Sequence, residues 1–305
     1  FTLSALPGTP SIQNVISSVA LGTDLFAGGW LGVIGGLCMF VGGIWYLERQ
    51  RKLARANGEH FVPGPGDQIS NIEAEGGSYP HWALACLPLV VVLCTIILPR
   101  VIKMSLDESS LAGAGTAMDL LRFANSQPVV WPSIALLSGT VLALALFPIV
   151  RRQALQVLGR GTNDSIMPLI NTAAVIGFGG VVTQTVGFER FISLMIESEL
   201  PPLLSMFTSV SLVSAITGSA SGGLQIFMQT MAPAYLEMGI EPGTLHRIAT
   251  MASGGFDSLP HCGAVVAMLS ITGLTHKEAY RDVGVITVVI PVLSTLVVMA
   301  VAALF

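Results

Sequence analysis

Charge is what this chain has least of. Only 10% of its 305 residues are Asp, Glu, Lys or Arg, against about 25% in a soluble domain. With 52% hydrophobic residues and a mean hydropathy of +0.74, that deficit excludes an ordinary soluble domain and points to an integral membrane protein. Basic residues form no stripe beyond one short loop, which excludes nucleic acid as a partner. Cysteine is scarce as well. Cys38, Cys86, Cys94 and Cys262 lie in or beside apolar runs without a CxxC pair, so neither a disulfide framework nor a zinc site is expected. They read as small packing residues, Cys262 excepted, because it adjoins a polar break. There is no HExxH and no GxSxG, which removes two common hydrolytic constellations. No cofactor and no metal is expected.

What the chain does have is apolar runs. Residues 24–47, 82–101, 129–150, 166–187 and 284–305 each approach the ~20 residues that a hydrocarbon core of about 30 Å requires. Pieces at 202–217 and 224–238 are shorter, and Gly218-Ser219-Ala220-Ser221-Gly222-Gly223 separates them. Two short arms around a small-residue tip suggest a re-entrant hairpin. A matching tip lies at Leu6-Pro7-Gly8-Thr9-Pro10-Ser11-Ile12-Gln13-Asn14. Paired interrupted segments in two halves of a chain point to a transporter binding site.

The fold expected is an all-α polytopic membrane protein. It is read as an inverted-repeat transporter with two re-entrant hairpins and broken transmembrane helices. Residues 1–23 are the second part of the first hairpin, 24–47 a transmembrane span and 48–81 a polar loop. Residues 82–198 hold the spans of the second repeat, with an amphipathic stretch at 104–127. Residues 199–240 form the second hairpin, and 241–305 a broken span plus a last span. Residue 1 is Phe and no signal peptide opens the chain, so a fragment lacking its N-terminal part is expected. Arg49, Arg51, Lys52 and Arg55, and then Arg151, Arg152 and Arg160, mark two loops as cytoplasmic. An inverted repeat needs an odd number of crossings between the hairpins, and four are evident. Either 104–127 or 188–200 hides a crossing, or one basic loop breaks the charge rule.

The most informative stretch is Ser253-Gly254-Gly255-Phe256-Asp257-Ser258-Leu259-Pro260-His261. It is polar where a spanning helix is apolar. An acid and an imidazole at that depth are costly unless they face a cavity or a partner. Two glycines and a proline break the helix, and freed backbone is tolerated there only where it is buried in protein or lines water. Asp257 and His261 suit proton coupling; the bland alternative is that Asp257 caps the next half-helix and backbone carbonyls satisfy His261. Thr217, Ser219, Ser221 and Gly222 at one tip, and Gly8, Thr9, Ser11, Gln13 and Asn14 at the other, are the candidate substrate ligands, with Ser253 and Ser258 from the break. Free N–H groups at a helix start attract an anion. Gly28, Gly32 and Gly36 read as a packing stripe. His60, His81, His246 and His276 sit in loops or at span ends and receive no role.

These same runs, Ala5 to Asn14, Thr217 to Gly223 and Ala252 to His261, resemble the gluconate permease (GntP) family. So does Gly273-Leu274-Thr275-His276-Lys277-Glu278 with the Tyr280-Arg281-Asp282 that follows. The form Asp-Ser-Leu-Pro-His is similar to the hydroxybutyrate-permease-like branch, although Cys262 stands where Asn is expected and Phe256 where Leu is usual. The resemblance implies a secondary active transporter of the ion transporter superfamily, in the cytoplasmic (inner) membrane of a prokaryote. It would import a small hydroxy-carboxylate with protons, as a scaffold homodimer in an elevator-like fold. Its partners would be a small organic anion, a coupling proton or sodium, and the lipid bilayer. The alternatives are another organic-anion transporter (citrate or dicarboxylate, sodium-coupled), an intramembrane enzyme using Asp257 and His261, and an anion channel.

Overall fold

The computed structural model describes residues 2–59, 80–105, 115–127 and 129–304. Among them the regular elements are all helical. Thr2–Ala5 (α1), Ile12–Leu21 (α2) and Gly29–Ala56 (α3) come first. Trp82–Ser105 (α4), Thr116–Ser126 (α5), Val130–Leu146 (α6), Pro148–Arg152 (α7) and Ala154–Val182 (α8) follow. Then come Val186–Ile196 (α9), Pro202–Thr217 (α10), Ala220–Thr230 (α11), Ala232–Glu237 (α12) and Pro242–Ala252 (α13). After a 3-10 turn at Phe256–Ser258, Gly263–Thr272 (α14) and His276–Gly284 (α15) lead through a π-helical segment, Val285–Val289, into Ile290–Ala302 (α16). Three stretches are long and apolar enough to cross a membrane among the described residues: Gly29–Ala56, Trp82–Lys103 and His276–Ala302. The protein is therefore a multi-pass, all-helical membrane protein. The chain divides into two compact units, one of Phe1–Gly76 with Ala174–Phe305, the other of Gly77–Ala173.

In the second unit α4 packs along α6. Pro99 has no N–H to give to the carbonyl four residues earlier, so Thr95 O is orphaned. The Trp131 indole donates to it at 2.8 Å. A Cβ at Gly139 would come within 2.4 Å of Val92 Cγ2, so α6 needs glycine where α4 crosses it.

The first unit is built around α10, α11 and α13. Met206, Leu224, Phe227, Tyr235, Leu245 and Ile248 are wholly buried there. α10 ends at Gly218, in the left-handed conformation at φ 62°, which costs glycine least. Ser219 N donates back to Ser214 O at 3.2 Å, and Ser219 caps α11. The two arms fold against each other so closely that a Cβ on Gly223 would lie 2.5 Å from Ser214 Cα. At 16 and 11 residues they span about 24 and 17 Å, each short of a bilayer core. Tyr235 bolts the base of this hairpin: its hydroxyl meets Ser205 Oγ at 2.8 Å and Ser209 Oγ at 2.9 Å.

Several element limits differ from the sequence expectation. α3 starts at Gly29 and runs to Ala56, past the expected end at 47. Glu48 pairs with Arg51 one turn on, and such pairs sustain a helix into water. α8 begins at Ala154 rather than near 166. The stretch 188–200 holds most of α9, whose 11 residues reach about 17 Å, too short to cross alone. Residues 60–79 of the expected loop and 106–114 of the amphipathic stretch lie outside the described residues. The remainder of that stretch, α5, buries none of its residues.

Candidate functional site

The polar break and the second tip meet. α13 stops at Ala252, and Ser253, fully buried, turns its hydroxyl onto Thr250 O at 2.9 Å. Ser211 of α10 donates to Ala252 O at 3.3 Å. His261 Nε2 meets Ala215 O at 3.0 Å, one of the last carbonyls of α10, which also accepts from the capping Gly218 N at 3.3 Å. Cys262 is 1% exposed and packs so near that a Cβ on Gly218 would sit 3.6 Å from its Sγ. From outside, Tyr280 Oη donates to Ser258 O at 3.1 Å and His276 Nε2 meets Pro260 O at 2.8 Å. Asp257 Oδ1 accepts from the Ser258 hydroxyl at 3.0 Å. No hydrogen bond joins Asp257 to His261 among the described residues; each holds a different partner.

The two tips use their hydroxyls alike. Ser219 Oγ caps α11 by accepting from Gly222 N at 3.3 Å. Ser11 Oγ caps α2 by accepting from Asn14 N at the same distance. Each cap takes one first-turn N–H and leaves those of Ile12 and Gln13, and of Ala220 and Ser221, with no acceptor inside their helix. Ser221 Oγ lies 3.4 Å from Ser219 Oγ, while Thr217 Oγ1 turns back onto Val213 O at 2.9 Å. α2 packs against both α11 and α13, and Ser17 Oγ meets Thr250 Oγ1 at 2.9 Å across the second contact. Gly8 sits in the first tip at φ 78°, its N–H on Leu25 O at 2.9 Å.

Asn14 is fully buried and ties the first tip together. Its Nδ2 donates to Thr9 Oγ1 at 2.7 Å, Thr9 O at 3.0 Å and Leu6 O at 3.3 Å. Its Oδ1 accepts from Arg247 Nη1 at 2.9 Å and meets His246 Nε2 at 3.2 Å. Carbonyls only accept, so the amide orientation follows from its neighbours. His246 Nε2 then carries the hydrogen, and Nδ1 accepts from Thr23 Oγ1 at 2.8 Å. Arg247, also fully buried, gives its other donors to carbonyls of Ser4, Ala5, Leu25 and Ala27 at 2.8–3.5 Å.

Comparison with known proteins agrees with this architecture. The chain is similar to a protein of Bacillus subtilis (strain 168) named "Uncharacterized transporter YxjC". The two are 36% identical over 311 residues, which is 95% of this chain. The chain spans 64% of that relative's length. No protein-family model matches. No solved structure matches.

His246, read as lying in a loop or at a span end with no role, lies near the start of α13 at 0% exposure, hydrogen-bonded at both ring nitrogens. Asn14, a candidate substrate ligand from the sequence, has its side-chain oxygen and nitrogen both engaged within the protein. Arg247 was missed altogether. The sequence carried no signal specific to it. Gly28 and Gly32 leave room for its stem: a Cβ on Gly28 would lie 2.7 Å from Arg247 Cβ, and one on Gly32 3.0 Å from Arg247 Cδ.

Proposed function

We propose that the protein is a secondary active transporter in the cytoplasmic membrane of a prokaryote, carrying a small hydroxy-carboxylate of the gluconate or 3-hydroxybutyrate type together with protons. The supporting observation is the pairing of two serine-capped helix starts, Ser11 with α2 and Ser219 with α11, on helices that pack together beside a helix interrupted at 253–262. A helix N-terminus acts as roughly +0.5 charge, so two of them match one carboxylate. In this reading the two helix pairs are re-entrant hairpins of an inverted repeat. The carboxylate sits between their tips, held by first-turn N–H groups and by the hydroxyls of Ser11, Ser219 and Ser221, while Thr9, whose hydroxyl hydrogen goes to Leu6 O, shapes the first tip. Gly8 and Gly222 let the backbone come close, Gln13 and Thr217 edge the tips, and Ser253 and Ser258 complete the site from the break. Asp257 or His261 takes the coupled proton, and the site is exposed to each side in turn. The similarity to a protein named as a transporter supports the same class.

The test is uptake of labelled gluconate and 3-hydroxybutyrate by proteoliposomes of the full-length protein, with and without an inward proton gradient. Uphill accumulation of either acid, abolished by a protonophore, is expected. Uptake that only equilibrates would replace symport with a facilitator or channel. Uptake of neither acid would refute the substrate assignment.

A further inference from the structure

The buried cluster around Arg247 lies outside the ligands named above, yet it reaches them through one side chain. Arg247 belongs to α13 and Asn14 to α2, so the cluster is a joint between two helices far apart in sequence. Among the described residues the guanidinium touches five acceptor oxygens, and none of them belongs to a carboxylate. A buried charge is tolerated when its donors are all satisfied, and here main-chain carbonyls from both sides of the first tip do most of that. Ala5 O comes from the end of α1; Leu25 O and Ala27 O come from the loop after α2. Arg247 therefore gathers the two strands of chain that flank the tip. With its donors spent, it has none left for a ligand.

The consequence falls on Asn14. Arg247 and His246 both donate to its Oδ1, so its Nδ2 has one direction left, toward Thr9 and Leu6 O. Thr9 Oγ1 accepts from that nitrogen and donates to Leu6 O at 3.0 Å. The rotamer of Thr9 and the turn from Leu6 to Ser11 are set by this relay. We propose that Arg247 and His246 are positioning residues: through the Asn14 amide and Thr9 they hold the first tip in the shape that presents the start of α2 to the transported anion. The tip's shape stands on the hydrogen bonds themselves; its effect on substrate rests on the transport reading above.

Asn14→Asp separates the two halves of the relay. The carboxylate still accepts from Arg247 and His246, so the joint between α2 and α13 holds. It has no hydrogen to give Thr9 or Leu6, so the turn is released. Hydrogen–deuterium exchange of the full-length protein in detergent reads this without substrate. Expected is exchange at least tenfold faster over residues 6–14, with peptides of 242–252 as protected as in wild type. Arg247→Gln is expected to loosen both segments, and Arg247→Lys to restore neither, since a single ammonium cannot span carbonyls on both sides of the tip. In the proteoliposome assay, Asn14→Asp and Thr9→Val should raise the KM for whichever acid the wild type carries about tenfold at unchanged protein level, with Thr9→Ser restoring it. Unchanged exchange at 6–14 in Asn14→Asp overturns the relay. Faster exchange with a wild-type KM overturns its role in binding. A wild-type protein that carries neither acid refutes the substrate assignment instead, and the exchange result still decides the relay.

Discussion

Gly223→Ala should open the second hairpin. Its added Cβ would lie 2.4 Å from Ser214 Oγ, 2.5 Å from Ser214 Cα and 2.6 Å from Ser214 N. Carbon contacts relax only at about 3.5–4.0 Å, so the arms must part by about 1 Å. Two of those three atoms are backbone and cannot rotate away. Overpacking of this kind costs about 1–3 kcal/mol, and the backbone contacts put this case at the upper end. Alanine returns roughly 0.5–1 kcal/mol in helix propensity, leaving a net loss of about 2 kcal/mol. At ~2–4 °C per kcal/mol for a chain of this size, the melting midpoint in detergent should fall by roughly 4–8 °C. Gly187→Ala is the control, because nothing lies within 4 Å of its Cβ; it should hold or raise the midpoint. Ser214→Ala should not rescue Gly223→Ala, since it removes only the hydroxyl. A midpoint for Gly223→Ala equal to that of Gly187→Ala would refute the close approach of the arms.

Replacing Ser219 and Ser221 together with Ala should weaken uptake affinity about tenfold while protein levels hold; the lost cap itself costs about 1 kcal/mol, so an unchanged KM would remove the second tip from the site. Tyr235→Phe leaves the Ser209 hydroxyl without its partner and should cost about 1–3 kcal/mol, read as a lower melting midpoint; no change would mean the bolt at the hairpin base is idle. A maleimide should label Cys262 only after denaturation, since it is 1% exposed, and peptide mass spectrometry of the folded protein checks this; labelling without denaturant would show that the break and the second tip do not stay packed.

The features that were legible in the sequence are those whose cause is local. Six small residues at 218–223 announce a tight reversal, and the structure makes it with a left-handed Gly218 and a Ser219 cap. Ser253 to His261 is polar against an apolar background, and the helix does stop there. Helix limits were less legible, because hydropathy reports lipid contact rather than helicity. α3 runs through Glu48, Arg49, Gln50, Arg51 and Lys52 to Ala56, where pairs such as Glu48 with Arg51 satisfy charges in water without breaking the backbone ladder.

What stayed hidden depends on partners more than two hundred residues away. Near the start of a modestly polar helix, His246 and Arg247 look like residues at a membrane surface, where such side chains are cheap. Only the folded chain places the carbonyls of Ala5, Leu25 and Ala27 around that guanidinium and turns a surface residue into a core one. Gly28, Gly32 and Gly36 show the same limit from the other side. Their spacing announces close packing correctly, yet spacing does not say what packs. Gly36 lies against Leu6, while Gly28 and Gly32 lie against Arg247. A small residue that clears space for an apolar neighbour and one that clears space for a buried cation leave identical marks in a sequence. The difference matters because Gly32→Ala would press on both Ala5 O, at 2.4 Å, and Arg247, and so disturb the first tip from a helix outside it.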